Sequence, residues 1–410
     1  MSNIALRLAW RNLWRYPRRT WLTVGAMIFS NSLLVFSISL QFGSYEMMIN
    51  NTLQIFTGHV QVQREGYLDD PRMRYVLPDI TAMADRLRGS LDSNQIAARA
   101  AGFALVSSND RSYGLQILGV EPEFEPFVST IPGLIKQGRY LDKDSDEEIV
   151  IGSVLARNLK VKPGDEITFL GSGRDDSFAA GVARVVGIFE TGSAGLDRSM
   201  AQVSLAYFQD AFTMDGSGHS ITLRAATIDE VPMLKQRVKT LIAGRDKLVV
   251  LDWEVLQPGL KQAIQADMIS AWFMYGVLII LVAFSVLNTQ LMSVLERTRE
   301  FGTMMALGLK PSNLARLVMT ETFMMASLGL AIGVFIGYLI SAYLSVVGFS
   351  YPGMEEMADK FNLPDRMYPS VSLLSLTLGP GIVAIGCLLA AIYPALRLYL
   401  LLPIEAMRAV

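Results

Sequence analysis

Four long apolar runs, residues 20–42, 268–292, 318–346 and 371–396, stand out from an otherwise mixed chain of 410 residues. Each reaches the roughly 20 residues that a helix needs to cross a bilayer. Between the second and third runs lies a charged connector, residues 293–317, carrying Glu296, Arg297, Arg299, Glu300, Lys310 and Arg316. Short basic loops stay in the cytoplasm, so the pattern predicts a cytoplasmic connector and, by counting spans, two cytoplasmic chain ends. Within the connector, Phe301, Met304, Met305 and Leu307 recur at helical spacing after a charged first turn, and Gly308 with Lys310-Pro311 ends the run. This predicts a short amphipathic helix lying under the membrane; a solvated connector is the plainer alternative.

Ahead of the first span, residues 1–19 place Leu6, Trp10 and Trp14 in one helical row and Arg7, Arg11 and Arg15 in the next, before Pro17 breaks the pattern. Such a helix lies in the membrane interface, indoles at headgroup depth and guanidinium groups reaching for lipid phosphate, or serves as a basic flank that sets orientation. Arg18 and Arg19 lead into a run too long for a cleavable signal segment, which predicts a retained anchor. Asn31, Ser30 and Ser32 are polar at membrane depth, so that face is predicted to meet another helix. Gly329, Gly333 and Gly337 form a doubled GxxxG ridge on the third span, against a helix of the same chain or of a second one. Gly379-Pro380-Gly381 predicts a kink in the fourth. Glu321, at the cytoplasmic edge of the third, suits either a basic partner in the connector or the headgroup layer.

Residues 43–267 have the composition of a soluble domain. Strands are predicted at 59–63, 101–107, 113–119, 148–151, 166–170, 182–189, 200–204, 220–223 and 248–251, and helices at 79–91, 153–159, 206–212 and 230–243. The two ends of this stretch read strand–helix–strand and the middle is richer in strands and turns. The fold class is therefore a four-helix membrane protein with a large two-lobed α+β extracytoplasmic domain between helices 1 and 2, the middle lobe inserted into the outer one. Helical, partly polar segments at 43–57 and 252–267 predict paired stalks, with Trp272 and Tyr275 at an outer aromatic belt. An outer loop, 347–370, and a cytoplasmic tail, 397–410, complete the layout.

A net charge of −2 gives no reason to expect a nucleic-acid partner. Cys387, the sole cysteine, excludes an intrachain disulfide. No GxxxxGK[ST], HExxH, CxxC or GxSxG occurs, so no nucleotide cradle, metal or nucleophile motif is present. His59 and His219 read as surface residues rather than a metal pair. Asp142, Asp144, Asp146, Glu147 and Glu148 begin like a calcium loop, but Glu147 and Ser153 occupy positions that need glycine and glutamate, so a solvated turn is expected.

The connector ERTREFGTMMALG resembles the cytoplasmic segment of the FtsX-like ABC permeases, the superfamily that includes LolC, LolE and the membrane half of MacB. The continuation LARLVMTETFMMASLGLAIGVFIG is similar to that family's third span, and Leu8-Ala9-Trp10-Arg11-Asn12-Leu13-Trp14-Arg15 to its opening. Tyr393-Pro394-Ala395-Leu396-Arg397 with Pro403-Ile404-Glu405-Ala406-Met407-Arg408 resembles its C-terminal signature, in which Pro403, Glu405 and Arg408 form a cytoplasmic motif. GSVLARNLKVKPGDEITFLG and VVGIFETGSAGLD are similar to pieces of its porter and sabre lobes. The resemblance implies a multi-pass protein of the bacterial inner membrane, working by mechanotransmission. The connector would be a coupling helix in which Glu296, Arg297, Arg299, Glu300, Phe301, Gly302, Met304, Met305, Leu307 and Gly308 meet an ABC ATPase dimer, the charged groups and Phe301, Met304 and Leu307 suiting a groove. ATP and magnesium would be bound by that partner, with no cofactor and no catalysis in this chain. A second permease copy or a paralogue, membrane lipid and a periplasmic carrier or adaptor are further partners it implies. Size favours the LolC/LolE branch over MacB, whose ATPase is fused, and hence extraction of lipoprotein or lipid-like cargo. Regulation of a cell-wall hydrolase, as in FtsX, drug or toxin efflux, as in MacB, and a receptor without an ATPase are the competing readings.

Overall fold

In hydrocarbon every backbone polar group must be satisfied within its own segment, so apolar runs of this length fold as helices. The computed structural model describes residues 2–15, 17–108, 110–143, 146–245, 247–354, 358 and 364–400. Pro403, Glu405 and Arg408 lie outside the described residues, as do Asp144, Glu355, Glu356 and Asp359. The four spans belong to helices Pro17–Thr52, Pro258–Glu296, Pro311–Val347 and Leu373–Arg397, all long and apolar enough to cross a membrane. Pro17 and Pro311 open their helices, where the missing N–H costs nothing. Ser372 caps the fourth through a reciprocal bond with Ser375. That helix runs unbroken through Gly379-Pro380-Gly381.

The chain divides into two units. The membrane unit comprises Met1–Tyr45, Ala263–Tyr351 and Arg366–Val410. In it the glycine ridge of the third span lies on the first: a Cβ at Gly329, Gly333 or Gly337 would come within 2.8 Å of Met27, Asn31 or Val35 respectively. The ridge thus packs within one chain. Asn31 Nδ2 donates to the carbonyl of Leu330 (3.2 Å) and Ser32 Oγ to that of Gly333 (3.0 Å), so the polar face does meet another helix. Toward the outer end of the unit, Tyr45 Oη donates to Asp267 (2.6 Å) and Tyr275 Oη to Gln41 (2.9 Å), tying the first span to the second. Tyr275 is buried by this pairing and is not part of an aromatic belt, whereas Trp272 is exposed.

The external unit comprises Glu46–Gln262 and Pro352–Asp365. Its strands are β1 (Val60–Arg64), β2 (Ile96–Ser108), β3 (Arg111–Val120), β4 (Ile135–Gly138), β5 (Glu148–Gly152), β6 (Glu166–Ser172), β7 (Phe178–Phe189), β8 (Met200–Ser204), β9 (Ser220–Leu223) and β10 (Leu248–Asp252). They make one sheet in the order β10-β1-β9-β2-β3-β8-β5-β7-β4. Because β6 pairs with both β7 and β2, the strands β2-β3-β8-β5-β7-β6 close into a ring. The open arm β10-β1-β9, made from the two ends of the domain, pairs with the first half of β2. The middle lobe, expected over about residues 122–198, supplies β5, β6 and β7 of the ring, which takes β2, β3 and β8 from outside those bounds, so β2 belongs to both the ring and the arm. Burial along β2 shows the change: its first five residues are all buried, and beyond Ala101 buried and exposed residues alternate as in a barrel wall.

Candidate functional site

The connector folds as a nine-residue helix, Thr298–Ala306, between the second and third spans. Arg297 breaks the helical geometry at its start (φ −100°, ψ 12°), and Gly308 (φ +93°) ends it in a conformation open mainly to glycine. Its apolar stripe turns toward its own chain. Phe301 is fully buried among Val294, Leu314, Val318, Ala395 and Leu398, with Met304 and Met305 packed beside it, and Gly302 is buried too. The outward side carries Glu296, Arg299, Thr303, Ala306, Leu307, Gly308, Leu309 and Lys310, with Leu307 80% exposed.

Three residues expected to meet a partner, Arg297, Phe301 and Gly302, are therefore buried in this chain instead. Phe301 fills the chain's own core, because a nine-residue amphipathic helix has only one apolar stripe and the bundle takes it. Arg297 is 5% exposed. Its Nη1 donates to both carboxylate oxygens of Glu321 on the third span (3.0 and 3.1 Å), and its guanidinium lies 4.9 Å from the Phe301 ring centre. Of the two places open to Glu321, the structure gives the ion pair. Glu321 also accepts from Asn12 Nδ2 (2.6 Å) on the helix Ser2–Leu13. Arg297 Nε reaches Glu300 (3.4 Å), and Glu300 pairs at the surface with Arg15 (2.7 Å). On the first helix Trp10 and Trp14 are exposed and meet edge to face (5.8 Å), and Arg7 and Arg11 are exposed beside them.

In the external unit the histidines are buried, each 1% exposed, and are not surface residues. His219 Nδ1 accepts from the N–H of Ala101 (3.0 Å), and its ring stacks on Tyr67. His59 Nδ1 accepts from the N–H of Ala225 (3.3 Å), and Nε2 lies 3.1 Å from Asn50. Burial holds both imidazoles down to about 4, with the charge of Arg224 a second cause at His59. Among the described residues no group of three His, Cys, Asp or Glu side chains is placed to hold a metal. Asp142 pairs with Arg139 (3.0 Å). Sequence reasoning missed two buried ion pairs. Arg99 on β2 meets Glu125 through two bonds (3.0 and 2.7 Å) and reaches the carbonyl of Phe56 in the π-helical turn Leu53–Thr57. Arg88 meets Glu121, which also accepts from the N–H of Ala98 (2.7 Å). An arginine in the alanine-rich stretch Ile96–Ala100 was the one available signal.

Four membrane-length helices, an exposed connector helix and one large α+β domain after the first span define a membrane protein of the permease type. The family profile of the MacB-like periplasmic core domain matches residues 20–241 and that of the FtsX-like permease C-terminal domain matches residues 272–400. The chain belongs to the FtsX-like permeases of ABC transporters. It is 24% identical over 314 residues to the lipoprotein-releasing system transmembrane protein LolC of Xylella fastidiosa (strain 9a5c), covering 73% of this chain and 74% of the relative. The macrolide export ATP-binding/permease protein MacB of Bdellovibrio bacteriovorus is 22% identical over 379 residues, 88% of this chain but 53% of that relative. Among solved structures, the periplasmic region of MacB from Actinobacillus actinomycetemcomitans aligns at a TM-score of 0.35 and 15% identity, covering 51% of this chain and 94% of that one.

Proposed function

We propose that this chain is the permease subunit of an ABC transporter that carries work from a separate ATPase dimer in the cytoplasm to its external domain. The observation that carries the reading is the two-sided connector helix: Phe301 anchors it to the bundle, and Arg299, Thr303 and Leu307 are presented outward. A helix fixed on one face and free on the other suits docking into a groove of a second protein. The partner binds ATP and magnesium, and closure of its dimer presses on Glu296–Gly308. The cargo is lipoprotein or lipid-like, extracted from the outer leaflet; the similarity to LolC over about three-quarters of both chains supports this choice. Both chain ends and the connector are cytoplasmic, and a second permease copy or paralogue completes the assembly.

The test is copurification from the native membrane. The chain is expected to bring down an ABC ATPase, and Leu307→Asp with Arg299→Glu to lose it while the permease still inserts and elutes as a folded species. Crosslinking the external domain to a lipoprotein supports the cargo; crosslinking it to a cell-wall hydrolase replaces the cargo reading with regulation.

A further inference from the structure

Arg297 occupies the elbow itself, the one residue between the helix Pro258–Glu296 and the helix Thr298–Ala306. Its dihedral angles leave the helical region while backbone bonds still cross it, a long one from Arg297 N–H to Ser293 (3.3 Å) and one from Phe301 N–H to Arg297 (2.9 Å), so the backbone bends here without breaking. The side chain adds a second set of ties at the bend. Nη1 holds both oxygens of Glu321, Nε reaches Glu300, and the guanidinium covers the ring of Phe301. Glu321, 5% exposed, takes its third bond from Asn12. One buried carboxylate on the third span thus joins that span to the connector elbow, 24 residues before it, and to the N-terminal helix, 309 residues before it. A buried pair of this kind is a modest source of stability, but removing one member leaves an uncompensated charge. Its better-attested use is to fix a unique geometry.

We infer that Glu321 and Arg297, with Asn12, form a positioning pin that makes the connector helix, the third span and the N-terminal helix move as one body when the connector is pushed. Arg297 works from inside: it holds the docking face at its angle and touches no partner. Without the pin a push on the connector helix reaches the third span only through the apolar packing of Phe301 on Leu314 and Val318 and the short turn after Gly308, neither of which fixes the angle at the elbow. The inference rests on the proposed role of the connector, and its test has one arm that needs no partner.

In the first arm the full chain is placed in lipid nanodiscs and amide exchange is followed across residues 301–307. Glu321→Gln is expected to raise exchange there at least about tenfold, with the rest of the third span unchanged. Asn12→Ala, which leaves both charges in place, is expected to raise it by a smaller factor and decides the matter if the first variant does not fold. Unchanged exchange in a folded Glu321→Gln protein, or in Asn12→Ala when that variant must decide, overturns the pin. In the second arm the copurifying ATPase is titrated against the same variants. Glu321→Gln is expected to bind it within about twofold of the unaltered chain but to lower permease-stimulated turnover about tenfold, and Arg297→Lys to fall between. Binding and turnover falling together would mean a merely structural residue, and both staying constant would overturn the inference. If no ATPase binds the unaltered chain, the proposed function fails while the exchange arm still decides the pin.

Discussion

Gly333 meets Asn31 at a distance that leaves no room for a side chain: a Cβ on the glycine would lie 2.8 Å from Cβ of Asn31. The same contact recurs one turn to either side, at Gly329 with Met27 and at Gly337 with Val35. In a bilayer, where apolar contact with a neighbouring helix gains little over contact with lipid, close approach of two backbones is what makes a helix pair.

Gly333→Leu should therefore force the first and third spans apart and cost at least about 1–3 kcal/mol, the usual range for overpacking. The check is thermal unfolding in detergent or nanodiscs beside Gly25→Ala, where a Cβ meets nothing within 4 Å. The expected result is a lowered midpoint for Gly333→Leu and an unchanged or slightly raised one for Gly25→Ala. Equal effects at the two sites would contradict the assignment of the ridge to this helix pair.

The Arg99–Glu125 pair makes a different prediction. Both side chains are essentially inaccessible, 2% and 0% exposed, so either partner alone is a buried charge without compensation. Arg99→Met or Glu125→Met should cost about 3–5 kcal/mol, whereas the double replacement should cost clearly less than the sum. Limited proteolysis of the full chain across a denaturant series reads the external unit, and additive losses would show that the two groups do not act as a pair.

The buried imidazole of His219 makes stability fall in acid. Its folded value, about 4, lies below its ordinary 6.5, so between those limits the unfolded chain binds more protons. The contribution is complete above pH 6.5 and drains away as pH falls toward 4, to a limit of about 3 kcal/mol. His219→Asn, whose Oδ1 takes over as acceptor for the N–H of Ala101, should flatten that slope while unfolding near pH 7.5 changes little. An identical slope in the variant would remove His219 from the account.

The spans were legible because length and apolarity alone decide them, and the ring strands because one face alternates. The first half of β2 was not, since Ile96-Ala97-Ala98-Arg99-Ala100 is buried on both faces and small alanines with an arginine carry neither period nor strand propensity. The short β4 has exposed residues at three of four positions and no pattern to read. At the candidate site the helix was legible, but not which way it faced. An amphipathic stripe looks the same whether it packs inward or meets a partner, and only the position of Glu321, 24 residues on, shows that Arg297 turns inside. The histidines were misplaced for a related reason: a lone imidazole is compatible with surface or core, and the donors at Ala101 and Ala225 that satisfy it are remote in sequence.

The central claim, that this polypeptide contributes a lever to a transporter powered by another chain, is tested most directly by nucleotide hydrolysis in reconstituted vesicles. The purified chain alone is expected to hydrolyse no ATP, the complex with its copurifying ATPase to hydrolyse it, and Leu307→Asp with Arg299→Glu to abolish both association and the permease-dependent rate. Turnover by the chain alone, or an undiminished complex after those outward-facing residues are changed, would contradict it.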